Sequence, residues 1–143
     1  MTGDEMTADP LNAEQLQERL RASPFNAFLD LEVVSADSDK QEVVMRLKSR
    51  PELERLSGTG QWHGGPIAAA IDIAGDYALA MLSGQPLPTI NLRVDYLRAG
   101  KGALVLSARV RRRGKTVGVV DVEVINEAGD LIAIGRANYA TGG

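Results

Sequence analysis

The chain has 143 residues, a length typical of one domain, with 44% hydrophobic residues and a formal net charge of −3. This composition excludes disordered, collagen-like and coiled-coil chains, and the slight acidity provides no overall field for nucleic acid or an anionic membrane. Because there is no cysteine and only one histidine, disulfides, thiolate nucleophiles, Cys-ligated zinc and multi-histidine metal sites are excluded, and we expect neither metal nor cofactor.

The N-terminal segment is polar and acidic. Residues 1–11 are predicted to form a flexible tail, and their lack of a basic start and an apolar run argues against a secretory signal. Asn12 and Gln15 have the spacing of a capping box, which predicts a short surface helix ending at about Ala22. We therefore expect a cytoplasmic protein with a single domain over residues 12–143.

Two β-rich segments and a long loop follow. Residues 25–36 and 41–48 are rich in apolar and β-branched side chains, and the turn-forming residues 37–40 between them predict a first antiparallel hairpin. Residues 49–65 have no periodicity and contain several glycines. A loop of this length indicates a functional segment.

The most apolar segment of the chain, residues 66–82, predicts a central helix that starts at Pro66 and stops before Gly84. Since it is apolar on all sides, we expect a sheet to wrap it. It is shorter than the roughly 20 uninterrupted apolar residues of a membrane span. Asp72 and Asp76 lie one turn apart on one face of this helix.

The rest of the chain has the period of β-strands. Strands are predicted at residues 89–97, 103–112, 116–126 and 131–140, joined by short glycine-containing turns. Because short connections join antiparallel neighbours, the sequence predicts an α+β fold with a four-stranded meander.

The start of the central helix offers candidate functional groups. Gly64 and Gly65 bring backbone N–H groups to the positive end of the helix, where an oxyanion would be stabilised, although a tight turn also explains a glycine pair. His63 is either a hydrogen-bonded structural residue or a catalytic one. The helix carboxylates either reach the surface as ordinary polar groups or act in a cleft.

These residues carry a resemblance to a known family. Residues 60–66, with the sequence Gly-Gln-Trp-His-Gly-Gly-Pro, and Asp72 nine positions after the histidine resemble the signature of hotdog-fold acyl-CoA thioesterases. The most similar branch is the phenylacetate-pathway, or PaaI-like, group of the 4-hydroxybenzoyl-CoA thioesterase superfamily. Residues 89–98 resemble its third strand, and residues 114–139 its closing hairpin. The resemblance implies an antiparallel sheet around a central helix and hydrolysis of acyl-CoA.

The same resemblance implies roles for individual residues. The Gly64 N–H would polarise the thioester carbonyl, Asp72 would act as general base or nucleophile, and Thr89 would assist the water. The family commonly has asparagine six residues before the histidine, where this chain has Ser57. Since a hydroxyl reaches less far than a carboxamide, Gln61 is a candidate substitute. We include His63 among the catalytic candidates and Gly65 among the substrate-binding ones.

Helix geometry adds a constraint on assembly. Seven residues separate Gly65 from Asp72, or about 10 Å along a helix, so one chain cannot bring both to the same carbonyl. Two antiparallel central helices related by a two-fold axis would do so, which matches the composite dimer sites of the family. The resemblance favours a homotetramer, and we expect no nucleic-acid or membrane partner.

Arg111, Arg113 and Lys115 belong to the densest basic cluster of the chain. They form either a solvated hairpin tip or a cradle for the phosphates of coenzyme A. Two other functions remain open at this point: a non-catalytic acyl-CoA binding or sensing protein, supported by Ser57, and a hotdog dehydratase or hydratase that uses His63 with a carboxylate.

Overall fold

The computed structural model describes residues 9–142. Its first helix, α1 (Ala13–Ala22), begins with the predicted capping box: the Asn12 side chain accepts the Gln15 N–H, and the Gln15 side chain accepts the Asn12 N–H. Most of the predicted tail, residues 1–8, lies outside the described residues. Leu11, at the end of that segment, packs against the core and donates its N–H to the Met81 carbonyl at 2.9 Å.

Six antiparallel strands form one sheet in the order β1-β2-β4-β5-β6-β3. The α+β class and the hairpin of the first two strands are therefore confirmed. The strands are β1 (Glu32–Asp37), β2 (Glu42–Leu47), β3 (Thr89–Tyr96), β4 (Leu104–Arg113), β5 (Val117–Asn126) and β6 (Leu131–Ala140).

The prediction of a strand over residues 25–36 was wrong in its first half, which forms the short helix α2 (Pro24–Leu29). Pro24 fits the first turn of a helix, where its missing N–H has no partner to lose. Asp30 ends the helix in the left-handed conformation, with φ at 61°. Leu29 is buried while Phe25 and Phe28 are more than half exposed, so the apolar run belongs to an amphipathic helix.

The predicted meander holds only for β4, β5 and β6. The seven residues between β3 and β4 do not make a hairpin, because β3 crosses the molecule and pairs with β6, while β4 lies beside β2. A short loop therefore joins two strands that are not neighbours. This crossing makes β3 an edge of the sheet, with one side paired to β6.

The central helix, α3 (Gly64–Ser83), has 20 residues and begins two residues before the predicted start. It is long and apolar enough to cross a membrane, yet 56% of its most apolar window is buried inside the fold. It packs against β2–β6 on one side and contacts α2 on another. The predicted sheet around a central helix is therefore confirmed, and within the single chain a stripe with Ala68, Ala69, Asp72 and Asp76 stays partly exposed.

Close packing beneath this stripe depends on Gly75. A Cβ added at Gly75 would clash with the Tyr139 hydroxyl oxygen, and that hydroxyl donates to the Asp72 carbonyl at 2.7 Å. We expect Gly75→Ala to lower the free energy of unfolding by about 1–3 kcal/mol, as overpacking does, despite the better helix propensity of alanine. Urea denaturation measures the loss caused by Gly75→Ala in two backgrounds, the wild type and Tyr139→Phe. An equal loss in both backgrounds would contradict the clash with the hydroxyl.

Candidate functional site

The first turn of α3 combines an exposed histidine with two glycines. His63 is the N-cap, and its Nδ1 accepts the Gly65 N–H at 2.9 Å. Pro66, the third residue of the turn, has no N–H to offer. Among residues 9–142, the Gly64 N–H has no hydrogen-bond partner. Of the two glycine amides predicted as oxyanion donors, the structure therefore leaves Gly64 free and gives Gly65 to the cap.

The peptide groups around the Gly64 amide are held in place. The His63 N–H donates to the Leu53 carbonyl at 2.9 Å, and the Tyr96 hydroxyl donates to the Gly64 carbonyl at 2.7 Å. Desolvation raises the pKa of Tyr96, so its hydroxyl stays protonated at neutral pH and donates. An amide fixed in this way at the positive end of a helix suits an oxygen that gains negative charge.

The second candidate group lies two turns further along α3. Asp72 is half-buried, and its Oδ1 accepts the Thr89 hydroxyl at 2.7 Å. Within the described part of the chain, Asp72 has no ion-pair partner. The structure thus brings together two residues that are 17 positions apart, because β3 passes beside the exposed stripe of α3. A carboxylate held by a hydroxyl remains available to accept a proton.

The Gly64 amide and the Asp72 carboxylate do not meet within one chain. They belong to the same uninterrupted helix, and eight residues at about 1.5 Å each separate them by about 12 Å. A single thioester carbonyl is far smaller than that gap. In the isolated chain, the two halves of the predicted site are therefore separate.

Ser57 and Gln61 lie on the loop that leads into α3. This loop folds back on itself as a small hairpin, with the Arg55 N–H bonded to the Gln61 carbonyl and Glu54 bridged to Trp62. Ser57 is exposed in the turn at its tip, whereas the His63 N–H at its base donates to the Leu53 carbonyl. The Gln61 side chain accepts from Arg55 Nη1 at 3.0 Å. Among residues 9–142, neither side chain forms a hydrogen bond with Gly64.

The basic cluster divides between the two faces of the sheet. A register shift between Val110 and Arg112 breaks the alternation of β4. Arg111 pairs with Asp121 at 3.4 Å on the outer face, whereas Arg113 Nη2 donates to the Leu82 carbonyl at 3.5 Å, at the C-terminal end of α3. Lys115 is exposed in the turn beyond. Because of the bulge, Arg113 lies on the α3 side of the sheet and Lys115 at the tip of the hairpin, whereas Arg111 lies on the opposite face.

Sequence reasoning missed the residues that support the site. Tyr96 was predicted only as part of a strand, and Trp62, whose Nε1 donates to the Gly102 carbonyl at 2.7 Å, only as part of a motif. Tyr139 binds the Asp72 carbonyl from β6. Each is a polar aromatic residue in an aromatic-poor chain, which is the signal that distinguishes them. Within residues 9–142, no group of three His, Asp or Glu side chains is placed to hold a metal.

Comparisons with known proteins show what the chain is similar to. The profile of the thioesterase superfamily matches residues 59–133. The Escherichia coli protein named medium/long-chain acyl-CoA thioesterase YigI is 32% identical over 142 residues, covering 83% of this chain and 86% of YigI. The E. coli protein named acyl-coenzyme A thioesterase PaaI is 30% identical over 112 residues, covering 76% of this chain and 75% of PaaI.

A solved structure has a similar fold. The crystal structure of zebrafish thioesterase superfamily member 2 matches with a TM-score of 0.81 and 29% identity, covering 92% of this chain and 99% of that chain.

Proposed function

Because the chain belongs to the thioesterase superfamily, we propose that it hydrolyses acyl-CoA thioesters to a free acid and coenzyme A. The observation that carries the proposal is the Asp72–Thr89 pair, a half-buried carboxylate held by a hydroxyl. A binding protein needs donors for the carbonyl, but hydrolysis also needs a group that takes a proton from water.

In the proposed mechanism, the thioester carbonyl oxygen accepts the Gly64 N–H, and Asp72 takes a proton from a water molecule oriented by Thr89. The resulting hydroxide attacks the carbonyl carbon, and the negative charge that develops on the carbonyl oxygen is stabilised by the amide and the helix dipole. Collapse of the tetrahedral intermediate breaks the carbon–sulfur bond. The thiolate leaves with the proton that Asp72 returns, so one water is consumed for each acid and thiol released.

We propose a homodimer in which Gly64 of one subunit and Asp72 of the other act on one carbonyl. The about 12 Å between these residues in one chain supports this arrangement. The surface beside them also supports it, because the side chains of Ala68 and Ala69 on the exposed stripe of α3 are small enough for a second helix to approach closely. The free edge of β3, where Ile90 is 52% exposed, offers a strand for pairing. The homotetramer and the cytoplasmic location stay predictions.

A composite site is testable by complementation. Asp72→Asn chains are co-expressed with Gly64→Pro chains, which lack the N–H at position 64. About a quarter of wild-type activity is expected, because random pairing gives one site in four both an intact amide and an intact carboxylate. Each variant expressed alone is the control. If both halves of the site came from the same chain, the mixture would be no more active than the two variants alone.

Arg113 and Lys115 are the candidates for the phosphates of coenzyme A, whereas Arg111 is engaged by Asp121. Among substrates with the same acyl group, a contribution from these cations makes the KM lower for acyl-CoA than for acyl-pantetheine. Equal KM values would remove the cluster from the proposal.

The function itself is tested by thiol release from a panel of acyl-CoA substrates of increasing chain length. Release of free thiol in proportion to enzyme supports hydrolysis. Thermal stabilisation by acyl-CoA without thiol release would favour the binding or sensing protein, for which the exposed Ser57 is the specific observation. Water addition to a 2-enoyl-CoA without thiol release would favour the hydratase.

A further inference from the structure

We propose that Asp76 is a positioning residue for the reaction. By binding the turn that precedes β3, it holds the Thr89 hydroxyl within hydrogen-bond distance of Asp72. The inference rests on the proposed function and adds a residue to its site. Asp76 is the second carboxylate of α3, one turn beyond Asp72, and the mechanism above gives it no role.

Two parallel hydrogen bonds join α3 to the chain that enters β3. Asp76 Oδ1 accepts the Leu87 N–H at 2.7 Å, and Asp72 Oδ1 accepts the Thr89 hydroxyl at 2.7 Å. Four residues of a helix rise about 6 Å, and two residues of an extended chain span about 6.6 Å. The two carboxylates therefore match two alternate positions of the incoming strand, and the Leu87 bond sets the register in which Thr89 reaches Asp72.

The start of β3 needs such an anchor because the sheet holds it on one side alone. Its pairing with β6 shifts register between Thr89 and Asn91. On the N-terminal side, the turn is held by Arg19, whose Nη1 donates to the Gly84 carbonyl at 2.7 Å, and the Pro88 carbonyl accepts the Ala140 N–H at 2.9 Å. Asp76 holds Leu87 between these two anchors, two residues before the hydroxyl that the mechanism uses.

The surroundings of Asp76 make its charge sensitive to pH. Desolvation raises its pKa to about 7, the Leu87 N–H lowers it, and the charge of Asp72 raises it. Asp76 also borders a cavity of about 710 Å³ between the helices, where α1 contributes Glu18 and Arg19. Its other titratable neighbours are Tyr77 on α3 and Tyr139 on β6. Ionisation strengthens the bond from Leu87, because hydrogen bonds to charged acceptors are about twice as strong as neutral ones.

The test compares two variants that lack the charge but differ in the acceptor. Asp76→Leu removes the acceptor and is expected to lower kcat about tenfold or more with KM within about twofold, because a small displacement of a catalytic group is costly. Asp76→Asn keeps an acceptor oxygen and is expected to restore most of that kcat. Asp76→Ala is the second acceptor-free variant if the leucine disturbs folding. Tyr77→Phe, in the same cavity but without a bond to the turn, is the matched control.

Coupling to Thr89 separates positioning from a general effect on stability. In a Thr89→Ala background, Asp76→Leu is expected to cost no further kcat, because the group that it positions is already absent. The wild-type kcat is expected to rise by one step near pH 7 that Asp76→Asn lacks. Independent, multiplying losses for Asp76→Leu and Thr89→Ala, or equal kcat for the leucine and asparagine variants, would overturn the proposal.

A readout without turnover keeps this inference separate from the proposed function. The NMR signal of the Thr89 methyl group is expected to stay near its wild-type position in Asp76→Asn and to move in Asp76→Leu, because only the leucine removes the acceptor of the Leu87 N–H. Absence of thiol release by the wild type would overturn the function, whereas identical Thr89 methyl signals in the leucine and asparagine variants would overturn the role of Asp76.

Discussion

Asp72→Asn is expected to lower kcat for acyl-CoA hydrolysis by about 10²–10⁴, with KM changed only a few-fold. Asparagine has the same shape and keeps an oxygen that accepts the Thr89 hydroxyl, which lies 2.7 Å from Oδ1 in the native chain. It cannot take a proton from water. The substitution therefore removes the general base and preserves the packing of α3 against β3.

Steady-state thiol release at several acyl-CoA concentrations gives kcat and KM separately. Asp95→Asn is the matched control: it makes the same chemical change on the neighbouring strand β3, where Asp95 contacts Arg93 at 3.4 Å, and should leave kcat unchanged. A kcat of the Asp72→Asn variant within threefold of the wild type would exclude Asp72 as the base.

Gly64→Pro is expected to lower kcat by about 10²–10³, the usual cost of losing one oxyanion donor. Proline removes the Gly64 N–H and is well tolerated at the first position of a helix. The residue before a proline must be extended, and His63 already has φ −68° and ψ 144°. The substitution thus deletes an N–H that the native fold leaves unpartnered within residues 9–142, and it adds a Cβ close to the Tyr96 ring.

Gly64→Ala separates the N–H from the added bulk. A Cβ at this position lies 3.2 Å from the Tyr96 ring in either variant, but alanine keeps the amide. We expect Gly64→Ala to retain at least about a tenth of the wild-type kcat, well above the proline variant. If alanine and proline reduced kcat equally, the loss would come from the contact with Tyr96, and the Gly64 amide would not be the donor.

Much of the fold follows from local signals in the chain. The capping box predicted α1, the glycine and proline pair predicted the start of α3 within two residues, and alternating side chains predicted β4–β6 nearly at their observed bounds. The hotdog architecture inferred from residues 60–72 is confirmed by the match to zebrafish thioesterase superfamily member 2. The errors were at α2, where an apolar run fits either element, and at the partner of β3, because loop length alone does not select a neighbour.

The candidate site shows the same division. The motif alone predicts Gly64, Asp72 and Thr89 as site residues, since the resemblance rests on residue types and spacing. The resemblance assigned the carbonyl to the Gly64 amide, but it could not show that the Gly65 amide is bonded to the His63 cap, because that bond depends on the orientation of one imidazole ring. Nor did it assign Asp76, because its partner Leu87 lies 11 residues away across a turn.

The sequence by itself determined which segments become helix or strand and which residues are candidates for the chemistry, because capping, periodicity and motif spacing act over a few neighbouring positions. The tertiary structure decided which of those residues meet. Pairing of β3 with β6 brings Thr89 to Asp72, the bulge in β4 separates Arg111 from Arg113, and the rise of the uninterrupted helix α3 keeps Gly64 about 12 Å from Asp72. These are long-range contacts, and they depend on how the whole chain closes around its central helix.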